Sequence, residues 1–593
     1  MNKKTLIDKT ITFLSRPMIL VAGIILLLLS FINFGFVISI LTHSQFFSVD
    51  QSLTKSLFAY PSGIRHLLLV VSLALIVPPA VNFIIQRFNP ISSKINLTGF
   101  RQKVFFYSAM ILLSIILFFL EINTGNRQFD GFDLSGIVDV GWRQISGQTP
   151  YVDFICVLPV GFLLLIKHFY MIFGISWNSL TVLNAVFLII TFWWMFFLLR
   201  NLKISRLVSL LFAFMAEMIT VFQISYWWYN SVTVIIGIIF ILSAISLLEN
   251  ISKIQSVISY ILSMAMLAMS KPNIAMILIL SVNIAFLFQK KRFIRILIYL
   301  LAAVIIDLAV IYANGLDPIT ICTGYLNATE RALPTKFFSG IVFSEKLAQL
   351  FEFLFTCSCC LIFFIKYAKP KKVYLKFIKI ETALLVSAIL TGFYQWGTSR
   401  EIATVSFPLI FIPVFYFIRK HLWDDLISQK IKNILYYALI YLSMVGLIFG
   451  LIRYRIELVG PFFETVSEKT VRVTDYFKGC MESPSFNETL MEISEIKRKN
   501  PDSYFFFGPR LEFSYCAFRC ESPTDMPLYW HKGSSYKTSN EQEIISSWFE
   551  KKFDIIIILK DDFMHLPLQI VDHLEKDYDK IEKKQIAIYF KRG

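Results

Sequence analysis

Residues 128–154 read QFDGFDLSGIVDVGWRQISGQTPYVDF, a polar stretch carrying Asp130, Asp133, Asp139 and Asp153 between two long apolar runs. Carboxylates are costly beside lipid, so acids gathered in this way belong to a loop outside the bilayer. The runs that flank the loop decide the fold. The chain has 593 residues, of which 56% are hydrophobic and 17% charged, and 59 are Phe. A soluble domain is less apolar and carries roughly a quarter of charged residues. Here the apolar residues come in blocks of about 17–25, the length that crosses a bilayer as a helix. The fold class is a polytopic α-helical membrane protein.

About thirteen spans follow from that rule. They fall near 17–42, 64–88, 102–122, 175–199, 207–226, 230–248, 256–270, 272–288, 293–314, 347–365, 377–397, 402–418 and 433–452. The two flanking Ser270-Lys271-Pro272 are short, as in a hairpin or one broken helix. With a cytoplasmic N-terminus, the inside loops hold about 26 Lys and Arg and the outside loops about 10, as the positive-inside rule requires. Cytoplasmic loops such as KYAKPKKVYLKFIK and QKKRFIR thus account for much of the net charge of +16, and nucleic acid is not implied as a partner. The first apolar run follows a basic stretch without a small-residue cleavage site and reads as a retained signal-anchor. An odd number of spans sends the C-terminal segment outside. The expected location is a bacterial plasma (inner) membrane, crossed many times.

Three regions result. Residues 1–101 hold two spans and a cytoplasmic linker. Residues 102–455 form the main membrane unit, with long outer loops at 123–174 and 316–346. Residues 456–593 carry no span and form a small extracytoplasmic α/β domain. In that domain SYFFFG, FDIIIIL and QIAIYF read as buried strands, and NETLMEISEIKRKN and NEQEIISSWFEKK have helical periodicity. Cys480, Cys516 and Cys520 fall there, where an oxidising compartment permits one bridge. Cys357, Cys359 and Cys360 read as small hydrophobes within a span, and no spacing resembles a zinc site. Within the first outer loop, LSGIVDVGWRQIS predicts a short helix stopped at Gly147. YVDFICVLPVGFLLLIKHFYMIFG, broken by Pro159 and Lys167, suits helices lying at the interface.

An acid ahead of Gly147, then PYVDF, Pro159 and the Phe-Gly pair ending at Gly174, resembles the first outer loop of the GT-C glycosyltransferases. The matching letters are Asp133, Asp139, Gly147, Pro150, Tyr151, Asp153, Phe154, Pro159 and Gly174. These enzymes include lipid A aminoarabinose transferases and protein O-mannosyltransferases. The family often has Asp-Glu where this chain has Asp133-Leu134. The resemblance implies a GT-C-like membrane unit, a polyprenyl-phosphate sugar donor, an acceptor hydroxyl on a glycan, lipid or protein, and inversion at the anomeric carbon. No metal ligand and no cofactor is assigned, and a divalent metal is left open.

Such a transfer needs a base within hydrogen-bond reach of the acceptor hydroxyl. Asp133 occupies the family's acidic position and is the expected base; its plain alternative is an N-cap. Asp139 either supports catalysis or pairs with Arg143 at i+4. Asp153 either orients the loop or contacts substrate, and Asp130 reads as a solvated loop residue. The donor phosphate needs positive charge. Lys271, beside the helix start at Pro272, suits an anion or is an interfacial lysine. Arg400 offers a planar fork or pairs with Glu401; Arg331 and Lys336 are weaker candidates. Trp227, Trp228 and Tyr229 form an aromatic belt or a platform for sugar or lipid. Arg510, Glu512, Trp530 and His531 offer groups to a glycan or belong to the domain core.

Two other readings stand beside the transferase. A lipid-linked sugar flippase or transporter would use broken helices and mid-span charges, and Glu217 and Asp307 fall within spans. A polysaccharide polymerase or ligase would share the lipid-linked substrate. The lack of a Gly-rich phosphate loop suits a lipid-linked donor better than a nucleotide sugar.

Overall fold

The structure, a computed structural model, describes residues 99–327 and 473–592, apart from 127–128, 130, 132, 224–226, 250–252, 288–292, 481–483, 534 and 561–565. The first two expected spans, the four expected beyond residue 346, and Asp130, Arg331, Lys336, Arg400 and Glu401 lie outside the described residues.

Each apolar run that is described forms a helix. They are α1 (Gly99–Gly125), α4 (Trp177–Asn201), α5 (Arg206–Gln223), α6 (Tyr229–Glu249), α7 (Ile254–Ser270), α8 (Pro272–Leu287) and α9 (Phe293–Ala313). Among the described residues, four helices are long and apolar enough to cross a bilayer: Phe106–Gly125, Trp177–Asn201, Tyr229–Leu248 and Phe293–Ala313. A helix apolar all round is buried within a bundle or faces lipid, and both cases occur. α6 is enclosed on nearly every side, whereas α1 and α9 leave Ile111, Leu112, Phe119, Ile294 and Leu301 exposed. α7 and α8 are shorter, and Pro272 opens α8 where its missing N–H costs nothing. The Tyr260 hydroxyl donates to Asn283 Oδ1 at 3.1 Å. These residues lie almost symmetrically about Lys271, so the two helices form a hairpin rather than one broken rod. Lys271 is at its tip.

The loop between α1 and α4 contains α2 (Asp133–Ile145) and α3 (Val160–Phe173). Leu134, Ile137, Val138 and Val140 of α2 are all buried, each contributing roughly 1.5–3 kcal/mol. α2 ends where the sequence predicts. Gly147 has φ +95°, and the Gln148 N–H reaches Arg143 O at 2.9 Å, the hydrogen-bond pattern of a left-handed helix stop. α3 buries Leu163 and Ile166 and exposes Met171, Ile172 and Phe173 at its end. α10 (Pro318–Asn327) follows α9 at the start of the second long loop.

Residues 473–592 make an α/β unit with a four-stranded sheet in the order β1-β2-β4-β3. The elements are α11 (Pro484–Lys499), β1 (Phe505–Phe507), α12 (Phe513–Ala517), α13 (Glu541–Lys551), β2 (Ile555–Leu559), α14 (Leu568–Asp577), β3 (Tyr578–Glu582) and β4 (Ile586–Lys591). β1 and β2 are parallel, and β4 runs antiparallel to both β2 and β3. The three apolar strands were expected. β3, YDKIE, was not, because it is an edge strand with four of its five residues exposed. Cys480, Cys516 and Cys520 are free, buried thiols; the bridge that the sequence would permit is not formed.

This unit and the helices share one core. Phe129 packs against Trp177, Phe477, Phe486 and Phe513 with ring centroids 5.1, 4.7, 5.3 and 5.2 Å away. The Trp177 N–H donates to Tyr476 O at 3.0 Å. On the other side of α2, a Cβ on Gly141 would lie 2.4 Å from the Tyr170 ring and 2.7 Å from an Ile166 methyl of α3. Gly141→Val is therefore expected to separate α2 from α3 at a cost of about 1–3 kcal/mol, read as a lower midpoint of thermal unfolding in detergent.

Candidate functional site

The β1–α12 and 522–530 loops of the α/β unit reach the first turn of α2, and Tyr529 of the second loop stands within electrostatic range of the start of α6, which the tip of the α7–α8 hairpin touches. α3 starts against the same tip, since a Cβ on Gly161 would lie 2.6 Å from Met269 Cβ. Gly161 is small because two backbones approach closely there.

Asp133 is the first residue of α2 and is exposed. Its backbone carbonyl accepts a hydrogen bond from the Tyr529 hydroxyl at 2.8 Å. The Tyr529 ring covers Gly136, where a Cβ would lie 2.3 Å from the ring. Desolvation and then the charge of Asp133 push the Tyr529 hydroxyl well above the usual tyrosine range, and Tyr229 adds to the rise. Tyr529 thus stands within electrostatic range of both Asp133 and Tyr229. The Lys271 ammonium lies 5.4 Å from the centroid of the Tyr229 ring and donates to Asn230 Oδ1 at 2.6 Å. Lys271 is only 7% exposed, so it does not snorkel into open solvent. A cation against a ring face is attracted by the ring quadrupole.

Asp139 is fully buried. Arg143 Nε donates to Asp139 Oδ2 at 2.6 Å, and the Ser522 hydroxyl donates to Asp139 Oδ1 at 2.6 Å. Arg143 Nη1 donates to Pro523 O at 2.6 Å and to Gln148 Oε1 at 3.1 Å. Burial raises the Asp139 carboxyl, and Arg143 and Ser522 pull it back down. Of the two readings for Asp139, this geometry is the ion pair, extended into a strut between α2 and the α/β unit. Asp153 likewise closes its own loop. Its Oδ2 accepts the Thr149 N–H at 2.6 Å, and its carbonyl accepts the Asp525 N–H at 2.7 Å.

Trp227 and Trp228 are buried. Trp227 stacks on Phe162 at 5.6 Å and meets Phe187 edge-on at 5.3 Å, so both sides of its indole are covered by protein. Tyr229 is half-buried and reaches the site. Trp530 belongs to the core of the α/β unit, with Phe506 at 5.6 Å. Arg510 and Glu512 are buried beside α2. The mid-span acids are elsewhere. Glu217 is buried among helices, with the Asn184 amide donating to Glu121 nearby, and Asp307 is half-buried on α9. Among the described residues no group of three or more His, Cys, Asp or Glu stands together to hold a metal ion.

Sequence reasoning missed Tyr529, Ser135 and Ser522. The signal for Tyr529 was slight: a Tyr in PLYWHK, whose bonding partner Asp133 is almost four hundred residues away in sequence.

No family model matches the chain, and no curated protein does. Among solved structures, the chain is similar to ArnT from Cupriavidus metallidurans bound to undecaprenyl phosphate. That likeness has a TM-score of 0.45 and 10% identity, over 83% of this chain and 98% of that one.

The Asp139–Arg143 strut generates a stability prediction. Removing one partner of a buried ion pair strands the other charge. Arg143→Met alone is therefore expected to cost about 3–5 kcal/mol. Adding Asp139→Leu is expected to recover most of that loss in the same unfolding measurement.

Proposed function

We propose that the chain is a membrane glycosyltransferase that moves a sugar from a polyprenyl-phosphate donor to an acceptor hydroxyl on the outer face of a bacterial plasma membrane. The observation that carries the reading is that Tyr529, which bonds the Asp133 carbonyl, lies within electrostatic range of Tyr229, against whose ring the Lys271 ammonium stands. It joins an exposed acid to a sheltered cation from a segment distant in sequence. The resemblance of the first loop to the GT-C pattern and the lipid-type surfaces of α1 and α9 support it further.

In this reading the Asp133 carboxylate accepts the proton of the acceptor hydroxyl. The acceptor oxygen forms a bond to the anomeric carbon from the face opposite the phosphate, and the carbon–oxygen bond to phosphate breaks. The sugar is inverted and polyprenyl phosphate departs with the bonding electrons. Lys271, held by Asn230 and Tyr229, neutralises the charge that develops on that phosphate. Preorganised charge in a site of low water content is commonly the largest catalytic contribution. Arg400 is the second candidate for the phosphate, and Asp153 and Tyr229 are the candidates for contact with substrate. Asp139 supports the reaction indirectly, by holding α2.

The test uses purified protein in lipid nanodiscs with undecaprenyl phosphate carrying radiolabelled hexose or pentose. Release of the label from the lipid supports transfer; movement of the lipid across the bilayer with the sugar bond whole would instead identify a flippase. Asp133→Asn is expected to lower turnover by about 10²–10⁴, the usual contribution of a positioned base, with an unchanged unfolding midpoint. Wild-type turnover in that variant removes Asp133 from the mechanism. Lys271→Met is expected to weaken retention of undecaprenyl phosphate as well as turnover.

A further inference from the structure

The 522–530 loop runs alongside the segment that starts at Asp153 and is tied to it through the backbone. The Asp525 N–H donates to Asp153 O at 2.7 Å, the Ile155 N–H to Met526 O at 3.0 Å, and the Leu528 N–H to Ile155 O at 2.9 Å. A parallel bridge joins Ile155 and Pro527 between them. Leu528 and Trp530 are both buried, and Trp530 is seated against Phe506 with ring centroids 5.6 Å apart. Successive side chains of an extended segment point to opposite faces, so these two buried neighbours turn Tyr529 the other way, onto α2.

Tyr529 meets α2 at two points. Its hydroxyl donates to Asp133 O at 2.8 Å. Its ring lies where a Cβ on Gly136 would fall 2.3 Å from Cε1 and 2.6 Å from Cζ, so only a glycine admits the ring so closely. Burial pushes the hydroxyl well above the usual tyrosine range, and it therefore keeps, at any ordinary pH, the proton it donates. The bond from Ser522 to Asp139 at 2.6 Å holds α2 more than a turn further on; the Tyr529 bond is made at the residue that opens the helix.

We propose that Tyr529 is a positioning residue: its hydroxyl, carried on the backbone ladder at 525–528, fixes the main chain at Asp133 and with it the place from which the Asp133 carboxylate works. The effect on turnover rests on the transferase reading above; the hold on the first turn of α2 does not. A base assists only within hydrogen-bond reach of the proton it takes, and a misplacement on the order of 1 Å can cost about 10²-fold in rate. Tyr529 takes no proton itself and acts through Asp133.

The test uses the full-length protein in nanodiscs as wild type, Tyr529→Phe, Gly136→Ala, Asp133→Asn and the double variant Tyr529→Phe with Asp133→Asn. Phenylalanine keeps the ring over Gly136 and loses only the hydroxyl. Gly136→Ala keeps the hydroxyl and forces the ring aside, although alanine is the better helix former. With a donor that is turned over, each of these two variants is expected to lower kcat by about 3–10-fold, the equivalent of one net hydrogen bond, with KM little changed. In the Asp133→Asn background, Tyr529→Phe is expected to cost nothing further, because a residue that acts through Asp133 then has no base to position. An equal loss in both backgrounds makes Tyr529 a structural residue only and overturns the proposal. Wild-type kcat in Tyr529→Phe overturns it as well. Amide hydrogen exchange at residues 133–137 needs no donor: several-fold faster exchange in Tyr529→Phe than in wild type supports the hold on α2, and equal exchange overturns it. Faster exchange in a protein whose wild type turns over no donor supports the hold and sinks the transferase reading instead.

Discussion

The site depends on the buried charge pair that Asp139 and Arg143 form within one turn of α2. Taking two ions out of water costs several kcal/mol each, and their mutual attraction offsets this only when further hydrogen bonds complete the geometry. Here those bonds come from Ser522 and the Pro523 carbonyl, which belong to the α/β unit, and from Gln148 just past the helix. The pair cannot be satisfied by the loop alone. α2 is therefore at its most stable when the α/β unit is docked on it, and the position of Asp133 is set by residues nearly four hundred positions away. That arrangement also explains the two glycines on α2. Gly141 lets α3 approach from one side, and Gly136 lets the Tyr529 ring approach from the other.

The same logic places the membrane part. α6 is enclosed by protein and starts at Tyr229 and Asn230, where the hairpin tip delivers Lys271. A lysine so far from open solvent is tolerable because an amide oxygen and a ring face replace part of its hydration. Both of those partners stand at the start of one helix, so the ammonium is held in place rather than swinging on four flexible carbons. An ammonium kept sheltered is also one whose charge is little screened by water. The aromatic pair Trp227 and Phe162 makes the floor beneath that start.

Much of this architecture was legible from local patterns. The positions of the seven described apolar helices, the helix of the first loop, its stop at Gly147 and three of the four strands follow from apolar run length, periodicity and turn chemistry. The exceptions have a common physical cause. β3 is charged because it is an edge, so its strand character comes from pairing with β4 rather than from apolar alternation. Trp227 and Trp228 look like an interfacial belt in sequence, and are covered because α3 folds over Trp227. Asp139 could not be divided between a catalytic and a structural role, because the second of its two partners, Ser522, is supplied by another part of the chain. Local patterns describe what a segment prefers; which segments meet is decided by long-range packing.

The departure at Leu134 illustrates that point most sharply. The chain has a leucine directly after Asp133, and this side chain is 1% exposed, turned into the packing between α2 and its neighbours. A carboxylate there would have to be buried in an apolar setting and would be strongly destabilising. Yet the α/β unit does bring a buried carboxyl towards this turn: Glu512 is 4% exposed, and the N–H of its neighbour Phe513 donates to Ser135 Oγ at 3.0 Å. An acid contributed by the helix itself would move with Asp133 whenever the loop moved. An acid contributed from outside stands near α2 only when the α/β unit is docked. The two carboxyls then differ in character for a simple reason. Asp133 lies at an exposed helix start, where backbone N–H groups and solvent favour charge, whereas Glu512 lies where burial opposes it.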